Sequence, residues 1–294
     1  MSASIAVVGM GCLFPDAMDL SEYWSNLISG KDSITEIPDN YWLISDYYDK
    51  DTKKKDKTYS KRAGLVNSIQ FDPLEFGIVP NDLESISVEQ IFSLVIAKQA
   101  LMDAGLYGEN AKKFNREKTG VVMAASIGKN AFSLHTRLQI PKYRKILLNS
   151  GVSESLTEKV LARMADAEVE WSANSNPGYL PNVVAGRVAS RFNLYGTNYT
   201  VDAACASGLA ALNCAVNELQ SGNCDIMLAG GVSLDCTEFS FVSFCKTPAI
   251  SSSDRIKPFD RDADGMLLGD GVGIVVLKRL KDAIKDKDKI YGVI

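Results

Sequence analysis

Short apolar runs bounded by glycine recur along the chain: "SIAVVGMG" (4–11), "TGVVMAAS" (119–126), "NYTVDA" (198–203), "CDIMLAGGV" (224–232) and "GVGIVVLKRL" (271–280). None alternates strictly, so they predict strands buried on both faces, as in a parallel sheet covered by helices. Between them the apolar period changes to that of a helix. In "LSEYWSNLISG" (20–30), Leu20, Tyr23, Trp24, Leu27 and Ile28 form one stripe that stops at a glycine, and "VEQIFSLVIAKQALMDAG" (88–105) repeats the logic up to Gly105. Strand-then-helix alternation of this kind predicts an α/β layered fold. Residues from about 129 to 196 interrupt it with helical patterns, "KYRKILLNSG" and "ESLTEKVLARMADAEVEW", and a loop, "SANSNPGYLPN". They read as a helical insertion that caps the sheet, contacts another subunit, or both. The charge runs "DKDTKKKDK" (49–57) and "KDAIKDKDK" (281–289) read as solvated loops or faces. There is no internal repeat or low-complexity tract.

Composition removes several function classes. At 294 residues, 46% hydrophobic and 23% charged, the chain has the make-up of a globular protein rather than a disordered one. With 32 basic and 36 acidic residues it has no net positive charge for a nucleic acid or an anionic membrane. No apolar run reaches the roughly 18 residues of a membrane span, and "MSASIAVVGMG" lacks a basic leader, so the expected location is the cytoplasm. The six cysteines (12, 205, 214, 224, 236, 245) contain no C-x-x-C, and there is one histidine, which argues against a metal site. Most of these cysteines are expected to be small buried hydrophobes. "VVGMGCLFPD" resembles a dinucleotide fingerprint only in part, because Phe14 stands where the third glycine is needed. Gly9 and Gly11 are expected instead to make a tight exit from the first strand.

Cys205 stands apart because of its setting, "YTVDAACASGLAAL" (199–212). A strand ending near Asp202 and a helix beginning near Ala206 place its sulfur at a helix N-terminus, where free N–H groups and the macrodipole favour an anion. A thiolate is the reactive form of cysteine. The small residues around it, Ala203, Ala204, Ala206, Ser207 and Gly208, leave room for a sharp turn and for a reactant. The following helix presents Leu209, Leu212, Val216 and Leu219 at helical spacing and ends at Ser221-Gly222, where another strand begins. The cysteine therefore sits at the carboxyl end of a strand, the edge at which open α/β sheets bind ligands. Two readings stand on pattern alone, a reactive nucleophile and a buried structural cysteine.

At these residues a family resemblance enters. "VDAACASGLAAL", "GGV" (230–232) and "PFDRDADGMLLGDGVGIVVLKRL" (258–280) resemble the β-ketoacyl synthase (ketosynthase) family of the thiolase superfamily. The resemblance runs from "IAVVGMGCLFP" through "FDPLEFGI" (71–78) and "SLVIAKQALMDAG" (93–105). The stretches "KTYSKRAGL" (57–65), "NPGYLPNVVAGRVASRF" (176–192) and "GTNYTVDAACAS" (196–207) are most similar to ketosynthases of iterative synthases that make polyunsaturated fatty acids, heterocyst glycolipids or enediynes. The resemblance implies an α/β, thiolase-like fold. Residues 1–289 would be the N-terminal half of a ketosynthase domain and 290–294 the start of a second half that is largely missing. It further implies that Cys205 accepts an acyl chain from the phosphopantetheine of an acyl carrier protein, with its own backbone N–H as an oxyanion donor. A malonyl-type extender then loses carbon dioxide and attacks. The loop motif carries Asp264, Gly265, Gly269 and Gly271. No bound cofactor or metal is implied; a homodimer and neighbouring synthase domains are.

The family's decarboxylation uses two histidines, one in a His-Gly-Thr motif and one preceded by Asn and Gly, and neither motif occurs here. The single histidine, His135 in "FSLHTRL", lies upstream of the nucleophile in the insertion, and Asn213 stands where many relatives carry a histidine outside the catalytic pair. The expected explanation is that the sequence is part of a longer domain. Function therefore divides between a condensing enzyme completed by further residues and a non-catalytic partner that binds acyl chains or dimerises. A cysteine hydrolase is a third reading and needs a histidine close to Cys205.

Overall fold

The computed structural model describes residues 3–126 and 130–294. Met1, Ser2 and residue 129, the expected start of the insertion, lie outside the described residues. In chain order the elements are β1 (Ile5–Leu13), α1 (Leu20–Ser29), β2 (Ile34–Glu36), α2 (Ile44–Tyr47), β3 (Arg62–Gly64), α3 (Val88–Asp103) and β4 (Thr119–Ala124). Helices α4 (Asn130–Asn149), α5 (Glu154–Asp166), α6 (Ser175–Tyr179) and α7 (Asn182–Arg191) follow. The chain continues through β5 (Asn198–Val201), α8 (Ser207–Gln220), β6 (Ile226–Ser233), α9 (Glu238–Lys246), β7 (Gly271–Arg279), α10 (Leu280–Lys285) and β8 (Gly292–Val293). All five predicted strands are present. Two compact units result, one of Met1–Gln70, Ile96–Phe114 and Leu228–Ile294, the other of Phe71–Val95 and Asn115–Met227. No helix of the described residues is long and apolar enough to cross a membrane.

The first unit holds strands in the order β6-β7-β1-β8. β1 runs antiparallel to β7, from Ile5 opposite Arg279 to Leu13 opposite Val272, and antiparallel to β8 at Ala6 and Val7. This corrects the expectation of a parallel sheet: a continuous apolar run reports burial of both faces and carries no information on strand direction. Gly9 and Gly11 lie inside β1 rather than at its exit. A Cβ on Gly9 would stand 2.7 Å from the carbonyl oxygen of Ala100, and one on Gly11 2.6 Å from that of Ile96. The glycines therefore let α3 approach the strand backbone. Gly11→Val is expected to cost about 3 kcal/mol through overpacking, read as a lower urea midpoint at unchanged m-value.

Helix α1 covers the predicted stripe, and the structure supplies its cap. The Asp19 carboxylate accepts from the N–H groups of Ser21 and Glu22, and Gly30 closes the helix at φ 64°. Its apolar stripe, however, is uncovered, with Trp24 64% and Ile28 71% exposed. Together with Met10, Phe14 and Val275 the stripe borders an apolar groove of about 530 Å³. Periodicity identifies which face of a helix is apolar, and not whether anything lies against it. Elsewhere in the unit, Trp42 packs edge-on against Phe241 and donates its Nε1–H to the carbonyl of Cys236, in a cluster with Ile37, Cys245 and Ile250.

Most of the run 281–289 is the solvated face expected of it, with Lys281, Lys285, Asp286, Lys287 and Lys289 exposed, but Asp288 turns inward. Asp288 is 4% and Lys278 7% exposed at the side chain, and the Lys278 ammonium lies 2.6 Å from Asp288 and 2.5 Å from Asp286. Lys112 reaches the other oxygen of Asp288 at 2.7 Å. Alternating charges look solvated in sequence, but here the run folds back on a buried lysine supplied by β7. The run 49–57 does form an exposed loop.

In the second unit β4 and β5 pair in parallel, Val121 opposite Asn198 and Ala124 opposite Val201. Every residue of β4 is buried. Val184, Ala185, Val188 and Ala189 of α7 are buried as well, whereas α4 and α5 form a hairpin tied by Arg144 to Glu154 and Glu158. The buried stripe of α8 is Ala211, Ala215 and Leu219. Of the stripe read from the sequence, Leu219 is buried, Leu212 and Val216 are half-buried and Leu209 is 76% exposed. Ala211 and Ala215 complete the inner face, where small side chains let the helix lie close to its neighbours.

Candidate functional site

The turn between β5 and α8 is built by two side chains. Asp202 Oδ1 accepts the Ala204 N–H at 2.9 Å, an Asx turn. Ser207 Oγ accepts the Ala203 N–H at 2.7 Å and donates to the Ala204 carbonyl at 2.6 Å. Between these fixed points Ala204 is held at φ 50°, a left-handed conformation that an L-residue adopts at a cost. The strain lies on the residue immediately before Cys205. Helical bonding then begins, with Ser207 N–H donating to Ala204 and Ala210 N–H to Ala206.

Cys205 is exposed, and so are Ala203, Ala204, Ala206 and Gly208, while Ser207 is half-buried. A Cβ added to Gly208 would meet nothing within 4 Å. The small residues thus add no bulk beside the exposed cysteine. Cys205 is an accessible thiol at the start of a fourteen-residue helix rather than a buried one. The other cysteines differ: Cys12, Cys224, Cys236 and Cys245 are buried and Cys214 is partly so. Burial, with the charge of Asp19 added, pushes the Cys12 thiol up to about 11. Alkylation of the folded protein is therefore expected to modify Cys205 first, with Cys12 and Cys245 protected until unfolding; peptide mapping over time checks the order.

The turn-building role of Asp202 was absent from the sequence reading although it had a signal, since Asp two residues before a tight turn is an Asx-turn residue.

The loop-motif residues lie in the other unit. Asp264 gathers a serine turn, accepting from Ser251 Oγ at 2.8 Å, Ser252 Oγ at 3.1 Å, and Ser253 through both Oγ and N–H. The Ser251 bond, followed by those from Ser253 and Ser252, holds its carboxyl well below the usual carboxylate range. Gly265 follows at φ 144° with the Ser251 backbone in close contact, Gly269 bridges to Gly64, and Gly271 opens β7 against the Phe14 ring. This set positions a loop. His135 is exposed on α4 and Asn213 is exposed on α8. Among the described residues no group of three or more His, Cys, Asp or Glu side chains is arranged to hold a metal ion.

Comparison with known proteins adds the following. Residues 2–283 match the family model described as "Beta-ketoacyl synthase, N-terminal domain". The chain is 35% identical over 295 aligned positions to a polyunsaturated fatty acid synthase polypeptide of Thraustochytrium sp., covering 100% of this chain and 10% of that protein. It is 36% identical to the polyketide synthase PksN of Bacillus subtilis, covering 99% of this chain and 5% of that one. Among solved structures it matches the oxazolomycin ketosynthase domain OzmH KS7 of Streptomyces albus JA3453 with a TM-score of 0.77 at 26% identity, covering 99% of this chain and 46% of that chain. The ketosynthase from module 6 of the bacillaene synthase of Bacillus subtilis 168 matches with a TM-score of 0.75 at 31% identity, over 99% and 42% of the two chains. The chain thus spans less than half the length of these solved ketosynthases and a tenth or less of the curated relatives.

Proposed function

Because the chain belongs to the β-ketoacyl synthase family and has its thiolase-like fold, we propose that Cys205 is the residue on which a growing acyl chain is held during fatty acid or polyketide synthesis. The observation that carries this reading is the exposed thiol on a strained turn at the N-terminus of α8, among small side chains. The thiolate attacks the carbonyl carbon of an acyl thioester on a carrier protein's phosphopantetheine. A bond forms to Sγ, the phosphopantetheine thiol departs with a proton, and the Cys205 N–H stabilises the oxyanion between the two. A malonyl-type extender on a second carrier then loses carbon dioxide. Its carbanion attacks the acyl-cysteine carbonyl, releasing the thiolate and a chain longer by two carbons.

Residues 1–294 hold the acyl-accepting group but neither of the histidines that the family resemblance assigns to decarboxylation, and His135 is exposed on α4. In this reading the second step draws on groups beyond these residues, within a cytoplasmic multidomain synthase. A homodimer belongs to the same reading. β5 pairs on one side only, with β4, and its residues are exposed or half-buried, which suits strand addition by a second copy.

The test is incubation with an acyl-pantetheine thioester followed by peptide mass analysis. One acyl group is expected on the peptide that contains Cys205. Acyl mass on another residue, or none at all on folded protein, sinks the assignment.

A further inference from the structure

We propose that Ser207 is a positioning residue for acyl transfer to Cys205, its hydroxyl fixing the plane of the peptide unit that carries the Cys205 N–H. The inference rests on the acyl-holding role proposed above and adds to it the group that aims the oxyanion donor.

The Ser207 hydroxyl is committed on both sides. Its oxygen accepts the Ala203 N–H at 2.7 Å, and its proton goes to the Ala204 carbonyl at 2.6 Å. A hydroxyl has one proton to give, so Asp202 Oδ1, 3.5 Å away, is left to serve the Ala204 N–H instead. The Ala204 carbonyl also accepts the Ser207 N–H at 3.0 Å. That carbonyl belongs to the same peptide unit as the Cys205 N–H. A trans peptide is planar, with its C=O and N–H pointing in opposite directions, so pinning one sets the other. Two donors from one residue therefore fix the direction of the Cys205 N–H.

Backbone strain makes the pin necessary. Ala204 sits at φ 50°, and an L-residue stays in that region only where its surroundings over-determine it. Removal of the hydroxyl takes away a bond on each side of the strained residue, at the N–H of Ala203 and at the carbonyl of Ala204 itself. Rotation at Ala204 then turns the next peptide, and the Cys205 N–H with it.

The bonding pattern separates this role from helix capping. Serine stabilises a helix from the N-cap position, by accepting N–H groups of the first turn. Here the N-cap is Ala206, which makes no side-chain cap bond, and Ser207 is the first residue of α8. Its hydroxyl reaches back to residues 203 and 204, so its bonds serve the turn that presents Cys205.

The experiment compares the full-length protein with Ser207→Ala and Ser207→Thr, with thermal melts to confirm folding. Two reactions of Cys205 are timed across pH. Acylation by an acyl-pantetheine thioester passes through an oxyanion; alkylation by iodoacetamide is a displacement that forms none. Ser207→Ala is expected to lower the maximal acylation rate about tenfold at unchanged KM, a part of the roughly 10²–10³ that loss of a whole oxyanion donor costs. The alkylation rate and its pH profile should not move, and Ser207→Thr, which keeps the hydroxyl, should recover acylation. Equal acylation in parent and Ser207→Ala overturns the proposal. So does an equal loss in both reactions, which places the effect on the sulfur or the fold, and so does a threonine variant as slow as the alanine one. If the parent takes no acyl group, the acyl-holding role fails, and hydrogen exchange of the peptide 199–212 still judges the turn. Exchange should be faster in Ser207→Ala, and equal exchange overturns the pin.

Discussion

Cys205→Ala will abolish covalent acyl capture, and Cys205→Ser will retain at most a residue of it. The alanine variant removes the only cysteine that the structure leaves exposed, and the remaining thiols are buried or half-buried in the two units. The serine variant keeps the size and the turn but replaces a thiol with a hydroxyl that is not ionised near neutral pH, so a loss of roughly a thousandfold is expected. Intact-mass measurement of acyl incorporation from a thioester checks both variants. Acylation and decarboxylation should also separate in residues 1–294. Acyl capture needs a sulfur nucleophile and an oxyanion donor, and in the proposed reading Cys205 supplies both at one turn. Decarboxylation leaves an enolate that needs its own donors, and loss of one such donor costs roughly 10²–10³ in rate. Labelled carbon dioxide from malonyl carrier protein should therefore not exceed that of the Cys205→Ala control. Clear release would mean that His135 or another group stands in for the absent pair.

Lys278→Met is expected to destabilise the first unit by about 3 kcal/mol, because it leaves a buried carboxylate short of a partner. Asp288 is 4% exposed and would keep only Lys112. Burial penalises both ions, but the hydrogen bonds of Lys278 to Asp286 and Asp288 outweigh it and raise the lysine, while those from Lys112 and Lys278 lower Asp288. The pH dependence follows from these directions. Asp288 contributes fully above the ordinary carboxylate value near 4 and loses its contribution as the pH falls through its lower folded-state value. Lys278 contributes fully below about 10.4 and loses its contribution only as the pH rises through its raised value. The gap between parent and variant in urea unfolding should be constant near neutrality and close in acid. A variant with an unchanged midpoint at neutral pH would show that the pair is not buried in solution.

Local chemistry along the chain was enough to place the elements and the turn that carries the proposed nucleophile. Glycine-bounded apolar runs located five strands, an apolar stripe ending at Gly30 located α1, and a cysteine among small residues marked the turn between β5 and α8. These properties are set by propensity, capping and spacing within a few residues. Other features depend on neighbours far away in the chain. Gly9 and Gly11 looked like a turn until the backbone of α3, nearly ninety residues on, proved to lie against them. The run 281–289 is mostly solvated, as read, but the burial of Asp288 within it, between Lys278 and Lys112, was visible only in the structure. The direction of β7 against β1, the exposed stripe of α1, and the inner face of α8 formed by Ala211, Ala215 and Leu219 belong to the same class. Periodicity reports that a face is apolar or charged, but burial is a relation between two surfaces, and only folding supplies the second.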